Sequence, residues 1–363
     1  MRPRLSWSSG EQSSAVCAAW TDWRAQGARE GDDALEKRGA RTIAGDRDRL
    51  EGAGNSMIEN EGRPRALLHV SVCVATFRRP AMLDGCLLAL QDQNPGPFTY
   101  SIVIVDNDAA ESARDVVEAW QRRASIPISY DVERVPNISG ARNRALRNAT
   151  GDLVAFIDDD EFPDPAWLSN LVAAYSSSSA DGVLGPVVPS YEGEPPSWLV
   201  ASGLCTRKSF PTGTPLQSAT DMRSGNVLFG RQVIEHDESP FDPRFGCSGG
   251  EDSDFFERKL AEGRTFVWCD EARVWERVPA HRQNLGYFIK RAVVLGSTAA
   301  RREELFSFGT LRSVVAVVAY TVSLPVLPIF GYHRFVRVFI KDCNHGAKLL
   351  AHLGFRLLHE RPM

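Results

Sequence analysis

The sequence predicts an α/β fold built on a mostly parallel sheet with helices on both faces, and three observations carry that expectation. Apolar runs with no strict alternation, the mark of strands buried on both faces, recur between residues 69 and 157. Segments of helical length separate them, which is the alternation that parallel strands require. The last run, Leu153-Val154-Ala155-Phe156-Ile157, stops abruptly at Asp158-Asp159-Asp160-Glu161. Four carboxylates then lie on the carboxyl edge, where open α/β sheets place their ligands.

Residues 1–65 are rich in Gly, Ser, Arg, Asp and Glu, show no sustained apolar periodicity and are read as a disordered extension. No apolar run follows Met1-Arg2-Pro3-Arg4, so a secretory signal is not expected, and Met57 is an expected alternative start. Strands are expected over 69–75, 100–105, 128–134 and 153–157. Helices are expected from Pro80 to about 93, over about 112–123, and over a short basic segment, Gly140-Ala141-Arg142-Asn143-Arg144-Ala145-Leu146, capped by Ser139. The second half is less regular: a strand over 182–188, an extended connection over 189–215, a short strand at 225–229, and a Gly-rich loop at 246–250. Glu251-Asp252-Ser253-Asp254 opens a helix to about 262, two strands follow near Phe266 and Val274, and a long helix spans about 284–302.

Composition sets bounds. The 363 residues, 43% hydrophobic and 24% charged, accommodate one large domain with appendages. The net charge of −4 hides an asymmetry, because residues 301–363 hold nine Lys/Arg against four acids. A basic tail on an acidic body points to an anionic surface as partner, with a membrane favoured over nucleic acid. Seven scattered cysteines without a Cys-x-x-Cys pair form neither a disulfide framework nor a zinc site, which favours a reducing cytoplasm.

Four adjacent carboxylates repel one another unless a cation or solvent neutralises them. One reading is a hard divalent ion, Mg²⁺ or Mn²⁺, held by one or two carboxylates and by substrate phosphates. The other is a solvated acidic turn ahead of a helix that starts at Asp164-Pro165.

Five ordered segments resemble the nucleotide-sugar-dependent family-2 glycosyltransferases of GT-A fold: Val72-Cys73-Val74-Ala75-Thr76-Phe77-Arg78-Arg79-Pro80, Val105-Asp106-Asn107, Gly140-Ala141-Arg142-Asn143, Phe156-Ile157-Asp158-Asp159-Asp160-Glu161 and Gly250-Glu251-Asp252. The resemblance covers about Val70 to Arg302. It implies that Thr76, Phe77 and Arg79 surround the base and diphosphate of the donor and that Asp106 accepts hydrogen bonds from uracil or ribose. Arg142, at a helix start, faces an anion or is a solvated helical charge. Asp160 is the implied metal ligand and Asp158 contacts ribose or metal, with the register of the three aspartates open by one. Glu161 caps the following turn. Asp252 matches the family's general base, Glu251 being the competing candidate, and a single base implies an inverting displacement. Gly225, Asn226 and Trp198 are weaker acceptor-side candidates.

Residues 314–330 lack charge but contain Pro325 and Pro328, and Arg312, Arg334, Arg337 and Lys341 flank them. With the amphipathic stretch 349–358, this tail reads either as an interfacial or re-entrant anchor or as helices packed on the catalytic body. Together with Val278-Pro279-Ala280-His281-Arg282 it resembles bacterial enzymes that extend lipid-linked exopolysaccharide units of the succinoglycan type. The expected organisation is therefore 1–65 extension, 66–302 GT-A domain and 303–363 membrane-associating region. The expected activity is transfer of a hexose from a UDP-sugar to a lipid-linked glycan at the cytoplasmic face of the plasma membrane. A non-catalytic nucleotide-sugar-binding or scaffold protein is the competing class. A dinucleotide oxidoreductase is set aside because no Gly-x-Gly-x-x-Gly follows the first strand.

Overall fold

The computed structural model describes residues 67–246 and 249–355. The expected disorder of 1–65 and the end of the 349–358 stretch lie outside the described residues. Strand β1 (Leu68–Thr76), helix α1 (Pro80–Gln91), β2 (Phe98–Asp106), α2 (Arg114–Arg123), β3 (Ile128–Val132), α3 (Ile138–Asn148) and β4 (Leu153–Ile157) follow the expected alternation. After β5 (Glu161–Pro163) and α4 (Trp167–Ser177) come β6 (Gly182–Leu184), β7 (Val187–Tyr191), α5 (Ser197–Ser202), β8 (Pro215–Leu216) and β9 (Asn226–Gly230). Helix α6 (Glu251–Ala261), β10 (Phe266–Trp268), β11 (Val274–Val278), α7 (Leu285–Arg302), α8 (Phe308–Ser323) and α9 (Tyr332–His352) complete the chain.

The main sheet has the order β3-β2-β1-β4-β9-β6-β10-β8, parallel except for β9 and β8. Side-chain alternation along β1 explains the two-faced core. Val70, Val72 and Val74 point to the face covered by α1, α2 and α4, where Leu83, Leu87, Trp120 and Trp167 are buried. Cys73 points to the other face, filled by Ala141 and Ala145 of α3 and by Phe156, Phe229, Phe255 and Phe256. A second sheet, β5-β11-β7, stands at the carboxyl edge and closes over the acid cluster.

Three local expectations are corrected. Asn137, not Ser139, caps α3: its side chain accepts the Gly140 N–H at 2.9 Å, while the Ser139 hydroxyl is buried inside the first turn. Residues 182–188 form two strands in different sheets, because Gly185-Pro186 turns the chain between them; a Cβ on Gly185 would lie 2.2 Å from the Ala272 carbonyl oxygen. Finally, the 189–215 connection contains α5, which ends at Gly203 in the left-handed conformation.

Downstream of 302 the chain folds back rather than standing apart. Phe288 and Ala292 of α7 bury against Val336 and Ile340 of α9 and Leu199 of α5. Gly296 lets the α9 backbone approach, since a Cβ there would meet the Asn344 carbonyl oxygen at 2.1 Å. Buried Lys348 pairs with Glu303 at 2.7 Å. Helix α8 ends at Ser323, two residues before Pro325, and no described helix is long and apolar enough to cross a membrane.

Trp167 is fully buried and its Nε1–H donates to Asn226 Oδ1 at 2.8 Å, joining α4 to β9 under the acid-bearing edge. Trp167→Ala should cost about 3–5 kcal/mol through the cavity it leaves. Trp167→Phe should cost about 1–3 kcal/mol through the stranded Asn226 oxygen. Urea denaturation of the full chain measures both.

Candidate active site

Strand register builds the site. Thr76 and Asp106 end β1 and β2 side by side, and β4 runs parallel to β1 so that its acids emerge at the same edge. Thr76 Oγ1 donates to Asp159 Oδ2 at 2.8 Å and is buried with it. Arg79 donates from one nitrogen to Asp159 Oδ1 at 3.2 Å and Asp160 Oδ2 at 3.0 Å, and Arg282 approaches Asp160 at 3.8 Å. Phe77 is exposed, with the Arg78 guanidinium over its ring at 4.9 Å. Arg78 itself takes a left-handed backbone (φ 55°), a conformation unusual for a residue with a Cβ, and its fork holds Asp108. That pairing keeps the Asp108 carboxyl below its ordinary pKa.

Arg142 bridges the two halves of the site. Its guanidinium, 7% exposed, donates to Asp158 Oδ1 at 3.1 Å and to Glu251 Oε1. Burial opposes its charge, but Asp158, Glu251 and Asp252 outweigh burial and raise its pKa. Glu251 is thereby fixed, and its other oxygen is buried with no hydrogen-bond partner among the described residues. Asp252, next along α6, keeps its side chain 18% exposed and lies 3.9 Å from Arg223. The Gly250 left-handed turn (φ 96°) delivers both acids to the helix start, where free N–H groups favour negative charge.

The four consecutive acids occupy different environments. Asp158 is 44% exposed on its side chain, whereas Asp159 and Glu161 are buried. Glu161 caps its own turn rather than the following one: its Oε2 accepts the Asp158 N–H at 3.1 Å. It lies in β5 opposite Glu276 of β11, and burial followed by Asp158 pushes its carboxyl well above the usual range. Burial also raises Asp159 against the pull of Arg79. For Asp160, burial and repulsion from Asp158 and Asp159 prevail over Arg79 and push the pKa to about 7. Gly225 leaves room for the acids here, because a Cβ would lie 2.7 Å from Glu161 Oε1 and 3.0 Å from Asp158 Oδ2 and would push those carboxylates aside.

Three candidates make bonds within the protein. Asp106 is fully buried and accepts from Ala113 N–H (2.8 Å), Asp108 N–H (3.1 Å) and Tyr130 O–H (3.1 Å), bonds that brace its loop. Asn226 uses its amide on the Pro186 and Ala272 carbonyls and accepts from Trp167. Trp198 packs edge-on against Phe288 and Tyr332, at 6.3 and 6.4 Å between ring centroids, in the α5/α7/α9 cluster. Conversely, residues not singled out from sequence stand beside the acids. Arg207 binds Glu276 at 2.6 Å, and Arg207, Lys208, Arg223 and Trp268 help to line a cavity of about 230 Å³. Their positions follow from loop closure over the edge, which leaves no local sequence pattern.

Asp158 and Asp160 offer oxygen donors in a place where crowding penalises negative charge, which suits a hard cation. No group of three or more His, Cys, Asp or Glu is arranged as a metal cage among the described residues. An ion completed by substrate phosphates requires no third protein carboxylate, so the donor set fits such an ion.

The raised Asp160 pKa has a sign that can be tested. Between about pH 4 and 7 the folded protein holds a proton that the unfolded chain has lost, so metal-free stability should fall as pH rises through that window. Asp160→Asn should flatten this dependence, as read from denaturation midpoints at several pH values without divalent ions.

The sequence profile of Glycosyl transferase family 2 matches residues 71–236. The chain is 36% identical over 242 residues to the succinoglycan biosynthesis protein ExoM of Rhizobium meliloti (strain 1021), covering 66% of this chain and 76% of that protein. It is 31% identical over 126 residues to a validoxylamine A glucosyltransferase of Streptomyces hygroscopicus subsp. limoneus, covering 34% of this chain and 28% of that one. Among solved structures, the mannosyltransferase PcManGT from Pyrobaculum calidifontis, in complex with GDP-Man and Mn²⁺, superposes with a TM-score of 0.55 at 16% identity over 94% of this chain and 98% of its own, a likeness of fold. By edge geometry, profile and relatives together, the chain belongs to glycosyltransferase family 2.

Proposed function

We propose that this glycosyltransferase moves a hexose from a UDP-sugar to a hydroxyl of a lipid-linked glycan, with inversion at the anomeric carbon and with Mg²⁺ or Mn²⁺. The observation that carries the reading is the Arg142 bridge, which holds the Asp158 end of β4 and the Asp252 end of α6 in one charged cluster. Asp158 and Asp160 would hold the ion, which supplies Lewis-acid stabilisation of the departing nucleoside diphosphate. Thr76, Phe77 and Arg79 border the donor. Asp252 takes the proton of the acceptor hydroxyl, the freed oxygen forms the new bond to the anomeric carbon, and the bond to the phosphate oxygen breaks with its electron pair leaving on the nucleotide. Glu251, locked to Arg142, positions that guanidinium. The name of the R. meliloti relative is consistent with a growing glycan as acceptor, and the GDP-Man and Mn²⁺ of the P. calidifontis structure with a nucleotide-sugar donor and a divalent ion, though not with uridine in particular.

Isothermal titration of the full chain with UDP, with and without Mn²⁺, tests the donor side: binding should depend on the metal and be lost in Asp160→Ala. Asp252→Asn should keep that binding while lowering turnover about 10²–10⁴-fold, and undiminished turnover would remove Asp252 from the reaction.

The membrane reading rests on α8. Leu311, Val315, Val318 and Val322 are all exposed and recur at helical spacing, so they form one apolar stripe. Exposed Arg312, Arg334, Arg337 and Lys341 lie on the same pair of helices. This is the composition of an interfacial helix pair on an anionic surface, here assigned to the cytoplasmic face of the plasma membrane. The full chain should co-float with vesicles containing phosphatidylglycerol, and Val315→Glu with Val322→Glu should abolish flotation while leaving UDP binding intact.

A further inference from the structure

A second cavity, of about 60 Å³, lies where the segment Leu204–Arg207, β11 and the start of α7 meet. Four arginines, Arg207, Arg277, Arg282 and Arg291, line it with one carboxylate, Glu276. Arg207 is held by Glu276 at 2.6 Å and Arg277 by Glu192 at 2.9 Å, while Arg282 sits 5.9 Å from the Tyr287 ring centroid and reaches Asp160 at 3.8 Å. Arg291 has no ion pair among the described residues. Guanidinium groups converging on one small space repel unless an anion joins them, and their planar forks match phosphate oxygens.

The cavity's two ends indicate what carries the anion. At one end Arg282 touches the acid cluster through Asp160. At the other, Leu204, Cys205 and Tyr287 pack against the cluster formed by α5, α7 and α9. Helix α9 packs in turn against α8, which carries the exposed apolar stripe. A ligand with its phosphate among these arginines therefore lies between the reaction centre and the packed apolar helices, of which α8 carries the exposed stripe.

We propose that this arginine cavity binds the phosphate or diphosphate group that joins the acceptor glycan to its lipid, separately from the diphosphate of the donor. The proposal deepens the lipid-linked acceptor reading and rests on it. Without the bound group, Arg207, Arg277 and Arg282 face Glu276, Glu192 and Asp160, and Arg291 has no ion pair among the described residues. With it, the acceptor is held by a group its growing sugar end does not share.

The test uses the full chain saturated with UDP and Mn²⁺, titrated with farnesyl diphosphate, farnesol and inorganic pyrophosphate. Farnesyl diphosphate should bind about 10-fold or more tighter than either control, and Arg291→Ala and Arg277→Ala should each weaken it by about 10-fold, the scale of one charge-assisted fork. Arg291 lies exposed on α7 with no ion pair among the described residues, so its truncation is expected to leave the fold unchanged. UDP affinity should stay unchanged in both variants. Displacement of farnesyl diphosphate by UDP, or an equal loss of UDP affinity in the variants, would give the cavity to the donor and overturn the proposal. Unaltered farnesyl diphosphate affinity in both variants would overturn it too, and equal affinity for inorganic pyrophosphate would overturn the lipid-linked source. Failure of UDP to bind the wild-type chain would instead count against the donor reading, which separates the two.

Discussion

The structure depends on a buried guanidinium placed between two carboxylates from distant parts of the chain. Arg142 sits in the first turns of α3, yet it holds Asp158 at the end of β4 and Glu251 at the start of α6. Removing a charge from water is costly, and burial of this kind persists only when its partners are well aimed. Each partner is fixed independently: β4 by pairing with β1 and β9, and α6 by packing Phe255 and Phe256 beneath the sheet. The electrostatic contact therefore ties together two elements that already share a core, and Asp252, next to Glu251, takes its place from that junction.

Charge crowding is the theme of the edge as a whole. The acids of the β4 turn, with Glu276 across from Glu161, face Arg79, Arg142, Arg207 and Arg282. The balance is uneven from residue to residue: Asp159 is tied to Thr76 and Arg79, Glu161 is buried and kept high in pKa, and Asp160 lies near neutrality. If a cation bound there, a site so arranged would release protons as it entered. The same crowding explains why Gly225 faces the turn, since any side chain there would displace the carboxylates.

The C-terminal helices show how an ambiguous composition was resolved by packing. An uncharged run with two prolines and a basic border is compatible with an anchor and with a buried helix pair. In the structure α9 buries one face on α7 and α5, while α8 leaves a stripe of Leu311, Val315, Val318 and Val322 outside. The packed-helix reading describes α9, and the exposed stripe of α8 is the face on which the proposed anchor rests.

Much of this was legible in one dimension. Buried-strand runs, the Pro80 helix start and the abrupt passage from Ile157 to four acids are local, and local geometry determines which edge of the sheet bears charge. Family resemblance located the Asp252 segment through short motifs. What the sequence could not settle was the partner of each polar group, because hydrogen bonds form between residues far apart in the chain. Asp106 and Asn226 carry side chains able to bind a ligand, and the structure shows the buried backbone groups and neighbours that they also satisfy. Arg207 and Arg291 carry no motif at all, and only closure of β11 and α7 over the edge brings their charges together with Arg282. The sequence by itself determined the sheet, its charged edge and the family; the tertiary structure alone decided which charges meet, because a polar group's role depends on the desolvated neighbours that folding gives it.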